Sequence, residues 1–241
     1  MLGGVTFFFR FRFAFTRERM RRALWASLIL IVVQFAAAFY LYPGMPERVA
    51  VHWGLSGEAD RFGSRFEGLF MIPVLSAVLL PVLLALPRLD PSGGIDGFRG
   101  GFDWYVFGMS AFLSYVFGLT LLWNLGWRFD FLRGLAPALG GLYYGIGVLM
   151  ERAKLNWFVG IRTPWTLSSE EVWDRTHEFG GRLFKVCGVL ALGGVLAGGW
   201  MALLLTVAPV MAAAMYLYYY SYSEYQKRAP DISRPGDVSP T

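Results

Sequence analysis

Leu183-Phe-Lys-Val-Cys-Gly-Val-Leu-Ala-Leu-Gly-Gly-Val-Leu-Ala-Gly-Gly-Trp-Met-Ala-Leu-Leu-Leu-Thr-Val-Ala-Pro-Val-Met-Ala-Ala-Ala-Met-Tyr-Leu-Tyr-Tyr-Tyr-Ser-Tyr222 runs for 40 residues with Lys185 as its one charged side chain. A helix crosses the bilayer core with ~20 apolar residues, so this stretch is expected to be a hairpin of two spans. Its turn is expected between Gly198 and Thr206. Four more apolar runs, Ala23–Tyr42, Leu69–Pro87, Trp104–Trp127 and Gly134–Met150, bring the count to six. None alternates polar with apolar residues, which disfavours a membrane β-barrel. Composition agrees: 56% of residues are hydrophobic and 16% charged, with a mean hydropathy of +0.46. Soluble domains carry roughly 25% charged residues. The expected fold is all-α, a polytopic integral membrane bundle of six transmembrane helices.

Charge orients it. With six spans the two termini share a side. That side holds six Lys/Arg before the first span, two in 88–102, six in 151–185 and three after the last span. The other side holds five: Arg48, Arg61, Arg65, Arg128 and Arg133. Lys and Arg are retained in the cytoplasm during insertion, so both termini are expected there. The chain then divides into a basic, aromatic arm (1–22), a membrane domain (23–222) with an outer loop at 43–68 and a cytoplasmic connector at 151–182, and a cytoplasmic tail (223–241). The expected location is the plasma membrane, multi-pass. The net charge of +5 reads as topology and contact with anionic lipid rather than nucleic-acid binding. Cys187 is the single cysteine and falls in an expected span, so no internal disulfide can form.

The arm alternates rings and guanidiniums, Phe9-Arg10-Phe11-Arg12-Phe13-Ala14-Phe15, then adds Arg17, Arg19, Arg21 and Arg22. It suits an interfacial anchor, with rings at headgroup depth and charges toward phosphate. A partner-binding arm is the alternative. It does not read as a cleavable signal peptide, and Met20 offers an alternative start. In the outer loop, Pro43, Gly44 and Pro46 break the helix. Val49, Val51 and Trp53 alternate with Ala50 and His52, predicting a short half-buried extended stretch. His52, Trp53, Glu58 and Asp60 are the outer candidates. Imidazole and carboxylates suit zinc, but no recognised metal spacing is present. A His52–Asp60 hydrogen bond that shapes the loop is the preferred reading, and no metal or cofactor is expected.

The cytoplasmic connector is richer. Thr163-Pro164 excludes helix at Thr163 and fixes a turn. Ser168-Ser-Glu-Glu171 reads as a capping box, with the Ser168 hydroxyl on the Glu171 amide and a helix starting near Ser169. On that helix Trp173, Thr176, His177, Gly180, Gly181 and Phe184 share one face. Gly141-Leu-Tyr-Tyr-Gly145 and Gly194-Val-Leu-Ala-Gly198 are small-xxx-small patterns expected to receive it. Trp157, Phe158 and Trp165 would lay the connector on the membrane surface. Asn156, Arg162, Thr163, Thr166, Thr176 and His177 would gather at the cytoplasmic mouth of the bundle.

That cluster reads either as a buried network holding the loop's shape or as a surface for a peptide or protein. Catalysis is the weakest reading. His177 has no Ser or Cys in a nucleophile motif, and Cys187 lies more than two turns deeper. His52 and His177 are expected on opposite membrane faces and cannot share a metal. Apart from Lys185 the spans hold no charge of the kind that marks ion pathways.

Asn156-Trp-Phe-Val-Gly-Ile-Arg-Thr-Pro-Trp-Thr-Leu-Ser-Ser-Glu-Glu-Val-Trp-Asp-Arg-Thr-His177 resembles the signature of the SdpI family of six-span bacterial and archaeal membrane proteins. The outer loop, with Pro46, His52-Trp53, Gly57 and Asp60, is similar to the domain of unknown function at the front of many members. There Asn often follows His-Trp, where this chain has Gly54. Tyr220-Ser-Tyr222, Tyr225 and Lys227 also fit the family's tail. The resemblance covers nearly everything from Ala23 onward and leaves out the arm. It implies an immunity protein against a secreted peptide toxin, which in one branch also draws a cytoplasmic repressor to the membrane. The partners it implies are the bilayer, that toxin and that repressor, with no direct nucleic acid. Asn156, Trp157, Arg162, Thr163, Pro164, Trp165, Thr166, Trp173, Thr176 and His177 are the partner-binding candidates. The alternative is a small-molecule or lipid transporter, or a membrane enzyme, with its site at the cytoplasmic mouth.

Overall fold

The computed structural model describes the backbone of residues 3–228 and side chains from residue 22 onward. The side chains of the Phe/Arg arm and the tail beyond Arg228 lie outside the described residues. Helix α1 (Gly3–Leu41) carries the arm's backbone straight into the first span and ends in a single tight turn, Tyr42–Gly44. Strands β1 (Arg48–Trp53) and β2 (Ala59–Ser64) then pair antiparallel, Arg48 opposite Ser64 and Trp53 opposite Ala59. The extended stretch expected from Val49 to Trp53 is therefore half of a hairpin, the one β element among the described residues. There follow α2 (Arg65–Leu89), the short α3 (Gly94–Gly97), α4 (Arg99–Asn124) and α5 (Phe131–Met150). The connector forms α6 (Pro164–Ser168), and the chain ends in α7 (Glu170–Leu192), α8 (Gly194–Ala197) and α9 (Gly199–Gln226).

Among the described residues, five helices are long and apolar enough to cross a membrane: Arg22–Gly44, Arg65–Leu89, Arg99–Asn124, Glu170–Ala197 and Gly199–Gln226. The sixth long helix, α5, has 20 residues, enough for ~30 Å, but its five glycines dilute its hydropathy. The hairpin of the last two spans turns at Gly198 (φ +72°), at the near edge of the expected window, because glycine accepts that backbone without strain.

Two groups of helices build the bundle. In the first, α1, α2 and α4 enclose Ala38, Leu69, Phe70 and Phe117, and Val49 of the hairpin packs on them from outside. Deep between these helices, Gln34 donates to Ser114 Oγ at 2.7 Å and accepts from Ser76 Oγ at 3.0 Å, so one buried amide ties three spans. In the second group α5, α7 and α9 pack together, and the α5–α7 seam is made of glycine. A Cβ on Gly140 would lie 2.9 Å from the Gly188 carbonyl oxygen, and one on Gly147 would lie 2.6 Å from that of Gly181. The helices are antiparallel and touch backbone to backbone, the packing lipid-embedded helices favour.

This corrects the expected packing motif. Gly141 and Gly145 have open space where a Cβ would go, so that pattern faces away from α7. The seam uses Gly140 and Gly147, each about 100° to 200° around the helix from the expected pair. Gly194 does pack closely, with a Cβ there 3.0 Å from Ala136 Cβ.

Beside the hairpin, Asp130 joins α5 to α9 within the second group. Its carboxylate caps α5 through the Arg133 amide at 3.0 Å and also accepts from the Gly199 amide at the hairpin turn of the last spans. The neighbouring Phe131 amide donates to the Gly57 carbonyl at 3.0 Å. Asn124, ending α4, pairs with both backbone groups of Ala50 at 2.7 and 3.0 Å, in effect extending β1 onto the helix.

Candidate functional site

The 151–169 connector lies across the ends of α4, α5, α7 and α9 that lie opposite the β1–β2 hairpin, as a sequence of local locks. Asn156, fully buried, closes the first. Its Oδ1 accepts from the Phe158 and Val159 amides at 2.9 and 2.7 Å, while its Nδ2 donates to the Lys154 and Val159 carbonyls at 2.8 and 3.0 Å. Every strong hydrogen-bonding position of that amide is spent on its own loop.

His177 closes the second. The Ile161 amide donates to Nε2 at 2.9 Å, so Nε2 carries no proton, and Nδ1 must donate to the Trp173 carbonyl at 2.8 Å. The geometry fixes the neutral Nδ1–H tautomer. The ring stacks on the Trp173 indole at 3.8 Å, and Trp173 Nε1 donates to the Ala153 carbonyl at 2.9 Å. Gly160 sits over this ring with φ +111°, and a Cβ there would collide with His177 Nε2.

Thr163 and Thr166 form the third lock. The Thr163 hydroxyl takes the Thr166 amide at 3.2 Å and the Thr166 hydroxyl takes the Thr163 amide at 3.0 Å, a reciprocal cap with Pro164 in the first helical turn. Thr166 also donates to the Ile161 carbonyl at 2.7 Å, and Thr163 donates to Ser221 of α9 at 3.0 Å. Trp165 packs against Tyr218 and Tyr222. The expected Ser168–Glu171 box is not formed. Ser169 is the cap of α7, accepting from the Val172 amide at 3.4 Å, and Ser168 donates to the Trp165 carbonyl as the last residue of α6. Ser168 is already used by the shorter helix, so the cap moves one residue on.

The expected single polar cluster is thus three separate locks. Asn156, Thr163, Thr166, Trp173, Thr176 and His177 are buried, whereas Trp157 and Arg162 remain exposed at the surface. The Arg162 guanidinium donates to the Trp157 backbone carbonyl at 2.7 Å, which holds the Arg162 side chain beside residue 157. Among the described residues, Thr176 Oγ1 is buried without a hydrogen-bond partner.

Sequence reasoning missed two anchors. Asp90, in the connector between α2 and α4, accepts from the Trp157 amide at 3.2 Å, the Ile95 amide at 3.2 Å and the Ser92 hydroxyl at 2.8 Å. Ser92 also donates to the Leu155 carbonyl, so one connector holds the other. Burial pushes the Asp90 carboxyl up, but the bonds from Ser92, Ile95 and Trp157 outweigh it and hold the group below its ordinary value. Asp90-Pro-Ser-Gly is a turn signal in sequence, but nothing local points to a partner 67 residues away. The second anchor is the end of α9. Glu224 is buried and pairs with Lys227 at 2.7 Å and Arg228 at 2.8 Å, and Arg228 reaches Glu171 of α7 at 2.8 Å.

His52 Nδ1 and Asp60 Oδ1 lie 2.6 Å apart across the hairpin, while Glu58 is exposed. Among the described residues no three His, Cys, Asp or Glu side chains gather to hold a metal. Trp53 stacks on Phe131 at 3.8 Å and meets Trp123 edge-on, so it serves to seat the hairpin on the bundle.

The description of the SdpI/YfhL protein family matches residues 152–221, the connector through α9. A domain of unknown function, DUF1648, matches residues 29–77, from α1 through the hairpin into α2. Immunity protein SdpI of Bacillus subtilis (strain 168) is 27% identical over 205 residues, covering 80% of this chain and 94% of that protein. An uncharacterized protein of Archaeoglobus fulgidus is 35% identical over 63 residues, 26% of this chain and 34% of that one. No solved structure matches the chain.

Proposed function

We propose that this chain, a multi-pass plasma-membrane protein of the SdpI family with the DUF1648 region at its front, is a membrane immunity protein that works by binding rather than catalysis. The observation that carries the reading is likeness over nearly the whole length of an immunity protein, with both recognised regions in place. The toxin is a secreted peptide, met from the outer face or within the bilayer. The cytoplasmic connector reports that encounter to, or holds, a repressor protein.

The locks favour a division of labour within the connector. Buried, saturated groups such as Asn156 and His177 have no donor or acceptor to offer a partner. Trp157 and Arg162 do. Arg162 keeps most of its five N–H donors free beyond the one spent on Trp157, and a half-exposed indole beside it is the pairing that dominates protein interfaces. The partner-facing edge is therefore Trp157 and Arg162, presented by a rigid frame.

The test is protection. Expressed in bacteria sensitive to the secreted peptide toxin encoded near such genes, the chain should raise survival, and a chain lacking residues 151–169 should not. Equal survival with the intact chain and with an empty vector, at verified membrane abundance, overturns the immunity reading.

A further inference from the structure

An apolar groove of about 570 Å³ runs between α4 and α5 on the surface that faces the membrane. It begins at the cytoplasmic end with Arg152 and Trp104 and passes Gly108, Gly141 and Gly145, where an added Cβ would meet nothing within 4 Å. It stops at Tyr115, whose hydroxyl donates to the Gly134 carbonyl at 2.9 Å and bridges the two helices. The slot is thus open toward the 151–169 connector and closed toward the β1–β2 hairpin.

Its length and lining select the occupant. From Gly101 to Tyr115 the α4 wall rises about 21 Å, lined by apolar side chains and bare glycines. A hydrocarbon chain laid along the groove matches that lining. At the mouth the Arg152 side chain makes no ion pair or hydrogen bond among the described residues, and the adjacent Glu151 is paired with Lys185. Trp104 stands 61% exposed at the same depth, where an indole settles among headgroups. The cytoplasmic leaflet supplies anionic lipid at this level.

We propose that the α4–α5 groove is a binding site for one anionic phospholipid of the inner leaflet, its acyl chain lying over Gly108, Gly141 and Gly145 and its phosphate on the Arg152 guanidinium. The phosphate suits the planar, multiply donating guanidinium. The glycines leave the space the chain fills. The lipid would brace α5 against α4 directly beneath the signature connector, to which Arg152 itself belongs.

The experiment is native mass spectrometry of the full chain, purified in detergent and equilibrated with equal amounts of phosphatidylglycerol and phosphatidylcholine. The wild type should retain one phosphatidylglycerol and prefer it roughly fivefold. Arg152→Ala should bring that preference close to one. Gly141→Leu, which fills the slot without touching the mouth, should lose retention of both lipids. Gly145→Leu repeats the test should Gly141→Leu fail to give monodisperse protein. Equal retention of the two lipids by the wild type, or unchanged retention in either the mouth or the filled-slot variant, overturns the proposal. The readout involves no toxin, so its failure leaves the immunity reading untouched.

Discussion

Ile161 donates its backbone N–H to Nε2 of His177 at 2.9 Å, across 16 residues of sequence, and the chain can approach the ring this closely only because the residue before Ile161 is glycine. One histidine thereby fixes the path of the connector without offering any atom to a ligand. Gly160→Ala must relax both a left-handed φ and a collision with the ring, at a cost of about 1–3 kcal/mol. His177→Ala strands the Ile161 amide and leaves a cavity beside Trp173, at about 1–3 kcal/mol for the lost bond alone. Both should lower the unfolding temperature and membrane abundance together. A Gly160→Ala protein as stable as the wild type would mean the ring does not sit where this geometry puts it.

The start of α7 gives a sharper comparison. Ser169→Ala removes the side-chain acceptor for the Val172 amide and should cost roughly 0.5–2 kcal/mol. Ser168→Ala removes only a bond to the Trp165 carbonyl at an exposed position and should cost less. Thermal unfolding in detergent ranks the two. The opposite order places the cap at Ser168.

These two positions show what sequence can and cannot resolve. The six apolar segments were legible because a bilayer imposes a length and a polarity, and the 183–222 run had to fold back on itself. The cap was misplaced by one residue because Ser-Ser-Glu-Glu reads in two registers, and the choice depended on α6, five residues long and stabilised by Thr163 and Thr166. The glycine seam was misassigned for a similar reason. Gly140 and Gly141 are neighbours in sequence but ~100° apart on the helix, and only the partner helix decides which one is covered. Asp90, Ser221 and Glu224 were illegible, since their partners lie across the fold. The site residues Asn156, Thr163 and His177 stood out by type and spacing; that they are saturated frame rather than free surface required coordinates.

Asp90 should make the connector acid-sensitive. Its carboxyl sits below the ordinary 3.8 in the folded chain, so its stabilisation is present above the unfolded value and is lost as pH falls through the folded one. Stability should therefore be flat from neutral pH down to about 5 as far as this group is concerned, then drop through the acid range below 4. Asp90→Asn keeps the shape but loses the charge on the Trp157 and Ile95 amides. It should be less stable at pH 7 and should show a shallower acid limb. Parallel melting curves for the two proteins from pH 3 to 7 would remove Asp90 from this role.

Topology follows from the charge split and can be read by labelling. In a Cys187→Ala background, a cysteine at Ser56, exposed at the tip of the outer hairpin, should react with an impermeant maleimide in intact cells. A cysteine at Ser168, equally exposed, should react only after permeabilisation. Reaction of the Ser168 cysteine in intact cells inverts the topology and moves the signature connector outside.

Arg162 separates frame from surface. Its side chain is exposed and gives one hydrogen bond to the Trp157 carbonyl, so Arg162→Ala should change stability by no more than about 0.5 kcal/mol and leave abundance normal. If the Trp157–Arg162 edge meets a partner, the same substitution should abolish protection or repressor recruitment. Arg162→Lys should fail as well, because an ammonium cannot reproduce the planar fork of donors. Trp157→Ala keeps the backbone carbonyl that Arg162 uses and should reproduce the loss without unfolding. His177→Ala behaves differently, losing protein and protection in proportion. Scored as protection per folded protein, the Arg162 and Trp157 variants should fall far below the His177 variant. Full protection by Arg162→Ala at normal abundance would show that this edge takes no part in recognition.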